Sequence, residues 1–183
     1  LQTERVKLQG VGMRFMDVMA GLALLLAHEL AFAENVYMQY GLGITAPDAN
    51  SVADVKLAAV GYQADLGLID YRIEFGGWFD NSGYRGAKNS GYGALLLGVE
   101  PELNIKNFGG LYVNWFSGVG AITTPDSLLS SAFQFFHDAS IGLQDSRGVR
   151  IGLHYKHISN AGITEPNRGR DFFGIDFAIP IGN

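Results

Sequence analysis

From residue 35 onward, apolar and polar side chains alternate with a period of two, and clusters of Gly, Asn, Asp and Pro interrupt the alternation at intervals. Eight segments can be read this way, at about 36–45, 55–67, 69–80, 92–105, 110–123, 133–145, 149–160 and 171–181. Each is long enough to cross a bilayer as a tilted strand. In the third, Ile69, Tyr71, Ile73, Phe75 and Phe79 share one face, and Asp70, Arg72 and Glu74 share the other. The fourth sets Leu95, Leu97, Val99, Leu103 and Ile105 against Glu100, Glu102 and Asn104. The last sets Phe173, Ile175, Phe177, Ile179 and Ile181 against Gly174, Asp176 and Ala178. This is the side-chain period of a strand. No apolar run after Glu34 is long enough for a transmembrane helix.

Alternation alone fits a soluble β-sandwich with its apolar face inward as well as a membrane barrel with that face outward. Three observations favour the barrel. The strand count is even. Connections near 46–54, 81–91, 124–132 and 161–170 are long, and those near 67–68, 106–109 and 145–148 are short, as expected when one end of a barrel carries loops and the other tight turns. Upstream, Met13-Arg14-Phe15-Met16 precedes an apolar stretch from Val18 to Ala27 and then Ala31-Phe32-Ala33, the pattern of a secretory signal. Its apolar core is too short to span a bilayer comfortably; a buried N-terminal helix is the competing reading. The expected organisation is upstream sequence at 1–12, a signal peptide at 13–33, and an eight-stranded antiparallel transmembrane β-barrel at 34–183, placed in a Gram-negative outer membrane.

The chain has 183 residues, enough for one domain. It has no cysteine, which excludes disulfides, thiolate metal sites and thiol nucleophiles. A net charge of −5 argues against a nucleic-acid partner. An eight-stranded barrel has a lumen just wide enough for side chains, so Asp70, Arg72, Glu74, Glu100, Glu102, Arg150, His154, Lys156 and Asp176 are expected to pair inside it as a polar plug. Trp78 and Trp115 read as structural or interfacial anchors.

Residues 149–181 carry the candidate chemistry. Val149, Ile151, Leu153 and Tyr155 set the apolar face of the seventh strand, and His157 and Ser159 continue on that face by twos. Asp171 shares parity with Phe173, Ile175 and Phe177 in the eighth. Three polar residues therefore interrupt the apolar wall near the loop end of one hairpin, where a polar group facing lipid is costly unless it is used. Residues at i and i+2 sit roughly 6.5–7 Å apart at Cα, close enough for an imidazole and a hydroxyl to meet. An acid on the neighbouring strand can hold the other ring nitrogen, giving a nucleophile, a base and an orienting acid. Asn160 and the Ala161-Gly162 backbone offer oxyanion donors. The same Ser-Asn-Ala-Gly run also reads as the ordinary start of a loop.

The run His157-Ile158-Ser159-Asn160-Ala161-Gly162, followed by Pro166-Asn167 and Gly169, resembles the hairpin of PagL-type lipid A 3-O-deacylases, eight-stranded outer-membrane barrels. The resemblance implies hydrolysis of the ester-linked 3-hydroxyacyl chain of lipid A in the outer leaflet, with no metal or organic cofactor. It implies His157 as base, Ser159 as nucleophile, and Asn160 with the Gly162 backbone as oxyanion donors. The family's acid is usually Glu, whereas Asp171 stands at the matching position, and Glu165 in the loop competes for the role. A non-enzymatic small barrel, or a barrel acyltransferase or phospholipase, is the alternative.

Overall fold

The computed structural model describes residues 35–44, 55–66, 68–81, 86, 88–104 and 110–181, with backbone alone at 102–104. The expected upstream segment (1–12) and signal peptide (13–33) lie outside the described residues. Nine strands follow in order: β1 (Asn35–Gly43), β2 (Val55–Asp65), β3 (Asp70–Asp80), β4 (Ser90–Val99), β5 (Glu102–Asn104), β6 (Gly110–Ile122), β7 (Phe133–Gln144), β8 (Arg150–Ser159) and β9 (Arg170–Pro180). Consecutive strands pair antiparallel, β4 and β5 both pair with β6, and β9 pairs with β1. The result is a closed eight-stranded barrel whose fourth wall strand comes in two pieces. The expected continuous strand at 92–105 is corrected here: pairing starts at Ser90 and breaks between Val99 and Glu102. Pro101 lies in the break and has no N–H to give the ladder. Closure leaves no open sheet edge.

The alternation has the sense expected of a barrel that turns its apolar face outward. Met38, Tyr40, Leu42, Leu95, Leu97, Ile141, Leu153, Phe173 and Ile175 are all exposed on the outer wall. Inside, the lumen divides into two layers. Toward the short-turn end lies the predicted charge cluster. Glu74 is fully buried, accepts a hydrogen bond from Tyr37 Oη at 2.6 Å, and is also bonded by Tyr92 and Lys156. Lys156 Nζ lies 3.1 Å from Asp138 Oδ2, which also accepts from Gln39 Nε2 at 2.8 Å. Arg72 stacks over Tyr37 and Phe116 at 4.1 and 3.9 Å and lies 3.8 Å from Asp138. Arg150 pairs with Glu100, and Tyr112 Oη donates to Asp176 at 2.9 Å. Most of these charges thus face an opposite charge, as a low-dielectric lumen demands, although Asp138 Oδ1 and Asp176 Oδ1 make no hydrogen bond among the described residues.

Toward the long-loop end the lumen is apolar, where a polar plug was expected throughout. Leu57, Trp78, Tyr92, Leu129, Phe136, Ile158 and Phe172 form one buried cluster, which reaches down to Leu96 and Phe116 in register with Arg72 and Asp138. Trp78 belongs to it: its ring stacks on Tyr92 with centroids 6.2 Å apart, and Nε1 donates to the Lys88 carbonyl at 2.9 Å. It is therefore no interfacial anchor, because its parity in β3 matches inward Arg72 and Glu74. Arg170, at the start of β9, caps this layer by bridging Asp80 at 2.8 Å and Asp126 at 2.6 Å. It ties the end of β3 and the 123–132 loop to β9. At the opposite end, the turn after β7 is closed by Asp145, whose carboxylate accepts from the Arg147 side chain and from the Arg147 and Val149 backbone; these bonds hold its carboxyl below the usual range.

Candidate active site

In β8 the outward residues are Ile151, Leu153, Tyr155, His157 and Ser159, so the hydrophobic wall gives way to polar groups over the last turn of the strand. The β8–β9 register pairs His157 directly with Asp171. Their side chains meet, with His157 Nδ1 2.6 Å from Asp171 Oδ1. The same carboxylate oxygen accepts the Tyr155 hydroxyl at 2.5 Å. A carboxylate accepts only, so Nδ1 carries the proton, and in the neutral imidazole Nε2 is the nitrogen left with a lone pair. Both partners are partly exposed, with side-chain accessibilities of 33% and 22%, so the pair opens onto the surroundings of the barrel and away from its lumen.

Ser159 lies two residues beyond His157 on the same face, opposite Phe135 of β7, and its Oγ makes no hydrogen bond among the described residues. The structure therefore brings His157 and Asp171 together and leaves the hydroxyl adjacent, without the Ser–His bond in place. Such bonds are commonly loose before substrate arrives. Gly169 closes the site from the loop side. Its φ is +70°, and a Cβ built there would lie 3.0 Å from His157 Cε1 and 3.7 Å from Nε2. A side chain at this position would crowd the imidazole edge that has to face the hydroxyl.

Asn160 departs from expectation. It is fully buried, and both ends of its amide are occupied. Nδ2 donates to the Thr164 carbonyl and hydroxyl, each at 2.9 Å, and Oδ1 accepts the Gly162 N–H at 2.9 Å. Its own N–H donates to Asn167 Oδ1 at 3.0 Å. The two expected oxyanion donors thus bind each other and the turn. Asn160 builds the left-handed Ala161-Gly162 corner (φ 52° and 77°) before it can serve a reaction. Glu165, the competing acid, is exposed in the loop, where it accepts the Asn167 N–H at 3.2 Å.

Two residues that the sequence did not single out extend the same row. Ser117 of β6 pairs with His137 of β7, and His137 pairs with His157. His137 Nδ1 lies 2.9 Å from Ser117 Oγ, which also accepts the Trp115 indole N–H at 2.9 Å. The rings of His137 and His157 are near parallel, with centroids 6.2 Å apart. Outward parity was legible for both residues, but only the register across three hairpins could align them with the β8–β9 pair.

A family model described as lipid A 3-O-deacylase (PagL) matches residues 58–180. The lipid A deacylase PagL of Bordetella bronchiseptica is 39% identical over 66 residues, 33% of this chain and 37% of that protein. The lipid A deacylase PagL of Pseudomonas aeruginosa is 33% identical over 72 residues, 39% of this chain and 40% of that protein. These alignments span less than half of either relative. A crystal structure of the outer membrane enzyme PagL superposes with a TM-score of 0.68 at 17% identity, covering 80% of this chain and 99% of that one.

Proposed function

The chain belongs to the lipid A 3-O-deacylase (PagL) family, and from that premise we propose that it is an outer-membrane hydrolase that releases the ester-linked 3-hydroxyacyl chain of lipid A on the lipid-facing wall of its barrel. The observation that carries this reading is the outward His157–Asp171 pair at 2.6 Å, with Ser159 next along the same face of β8. A hydrolytic pair on the outer surface is reached laterally by a lipid and never through the lumen, which side chains fill. Export through residues 13–33 as a signal peptide belongs to the same reading.

Asp171 holds Nδ1–H, so His157 Nε2 takes the proton of Ser159 as its oxygen attacks the ester carbonyl. Negative charge then develops on the carbonyl oxygen. The Gly162 N–H is bound to a neutral amide oxygen, and a hydrogen bond to an anion is roughly twice as strong as one to a neutral acceptor. The exchange from Asn160 Oδ1 to the oxyanion therefore runs toward the oxyanion. Collapse expels the sugar oxygen, which receives the proton from His157. Water, deprotonated by the same imidazole, then cleaves the acyl-enzyme and restores Ser159. The residues present supply every proton step.

Lipid A from cells carrying the protein is expected to lose the mass of one hydroxyacyl chain. His157→Ala and Ser159→Ala each restore the parent mass, since removing a nucleophile or its base costs on the order of 10⁶ in rate. Unchanged lipid A with the unmodified protein would point to a non-enzymatic barrel. Turnover of phospholipid alone, or acyl transfer to an acceptor, would move the activity to another lipid reaction.

A further inference from the structure

Outside the backbone-only β5, the outward positions of the strands carry few polar side chains other than tyrosines. They are Lys56, second residue of β2, and Ser117, His137, His157, Ser159 and Asp171. The last five form one patch, and the hydrolytic set uses only three of them. Ser117 and His137 remain, on a surface where a polar group without a partner is costly. His137 is exposed, its Nδ1 engages Ser117, and its Nε2 makes no hydrogen bond among the described residues.

Their depth suggests what they meet. Asp171 is the second residue of β9, His157 lies two residues before the end of β8, His137 is the fifth residue of β7, and Ser117 lies five residues before the end of β6. Along the row Asp171–His157–His137–Ser117, each side chain sits farther from the loop end of its own strand. The row sinks from the rim, where a lipid headgroup lies, toward the hydrocarbon, where its chains lie. Beneath it on β7 the outward residue is Ala139, flanked by Trp115 and Tyr155 in register, so the wall is low at this point.

We infer that His137, held by Ser117 and Trp115, forms a hydrogen-bonding subsite for the hydroxyl on the second carbon beyond the ester carbonyl of the departing acyl chain. This rests on the deacylase reading above. A 3-hydroxyl carried below the rim finds no water, and the nearby Tyr155 and Ser117 hydroxyls are already engaged by Asp171 and by His137 and Trp115. The free nitrogen of His137 supplies its partner beside the imidazole that acts on the ester. The subsite selects 3-hydroxyacyl chains over unsubstituted ones, because a site built to bond a hydroxyl leaves polar atoms unpaired when the hydroxyl is missing.

The test uses the full chain, purified in detergent, and two synthetic glucosamine 3-O-esters of equal chain length, one 3-hydroxylated and one not. The unmodified protein is expected to favour the hydroxylated ester by roughly tenfold or more in kcat/KM. His137→Phe keeps a ring beside His157 and removes the nitrogens; it should bring the preference close to one. Ser117→Ala, which frees the His137 ring, should reduce the preference partway, and it keeps the question open to refutation if the Phe variant does not fold. Equal loss on both esters, or no preference in the unmodified protein, overturns the subsite. In that case the acyl chain lies on the other side of His157, over the apolar hollow of about 290 Å³ lined by Tyr40, Leu42, Leu153, Phe173 and Ile175. If neither glucosamine ester is cleaved while phospholipid is, the deacylase reading itself falls and the subsite with it.

Discussion

The barrel places polar groups in two unfavourable locations, its sealed lumen and its outer wall, and treats them in opposite ways. In the lumen, Arg72, Glu74, Glu100, Asp138, Arg150 and Lys156 each face an opposite charge, and neutral donors such as Tyr37 and Gln39 fill further positions. On the wall, His157 and Asp171 are joined, but Ser159 and one nitrogen of His137 have no partner among the described residues. Charges sealed against opposite charges specify a structure. Polar groups left open where water is scarce are held ready for something else. Glu74 and Asp171 are both carboxylates on strands, and the state of their neighbours separates a structural acid from the one proposed to orient a base.

The sharpest way to break this comparison is at Asp171. Asp171→Asn should lower the deacylation rate by about 10⁴-fold, by turning the imidazole toward the wrong tautomer. It should leave the unfolding midpoint in detergent nearly unchanged. Lys156→Met should do the reverse. It strands Glu74 without its cation and leaves Asp138 only the more distant Arg72, and breaking a buried pair from one side costs about 3–5 kcal/mol, visible as a lower urea midpoint while activity survives in the folded fraction. Gly169→Ala comes third. Its Cβ would press on His157 Cε1 in a backbone conformation unfavourable to alanine, and displacement of a catalytic group by about 1 Å costs roughly 10²-fold, read in kcat with little change in KM. Smallest is Glu165→Gln, an exposed substitution expected to stay within about 0.5 kcal/mol in stability and to leave the rate essentially alone. If Asp171→Asn stays active while Glu165→Gln abolishes hydrolysis, the acid is Glu165 and the comparison fails on the wall side.

Much of this architecture was legible in residue order. Period-two alternation gave the eight wall strands, and loop lengths gave the end at which the site lies. Parity put His157, Ser159 and Asp171 on the outer face before any coordinate. Parity also puts Trp78 inside, since it shares its count with Arg72 and Glu74, and so decides for the structural of its two readings. The lumen's division into charged and apolar layers could have been sought in the inward residues Leu57, Phe136, Ile158 and Phe172, which cluster toward the loop ends of their strands. What order could not give was register. The alignment of Ser117, His137, His157 and Asp171 depends on where three hairpins turn, and one residue of slip in any of them would undo it. Saturation was equally hidden: Asn160 looks like a spare donor until Thr164, Ser130 and Gly162 are seen to occupy it.

Arg170 and Asp171 are neighbours in sequence and point to opposite sides of the wall. The first bolts β9 to Asp80 and Asp126 within the barrel, and the second grips His157 outside it. Because the side-chain period is two, a shift of β9 by one position would turn the guanidinium into lipid and withdraw the carboxylate from the imidazole in the same move. Assembly of the barrel and arming of the site are therefore one event, checked from both faces at once. On the proposed deacylase reading, a barrel that closes out of register would be inert, with no route to a hydrolase of altered specificity loose among membrane lipids.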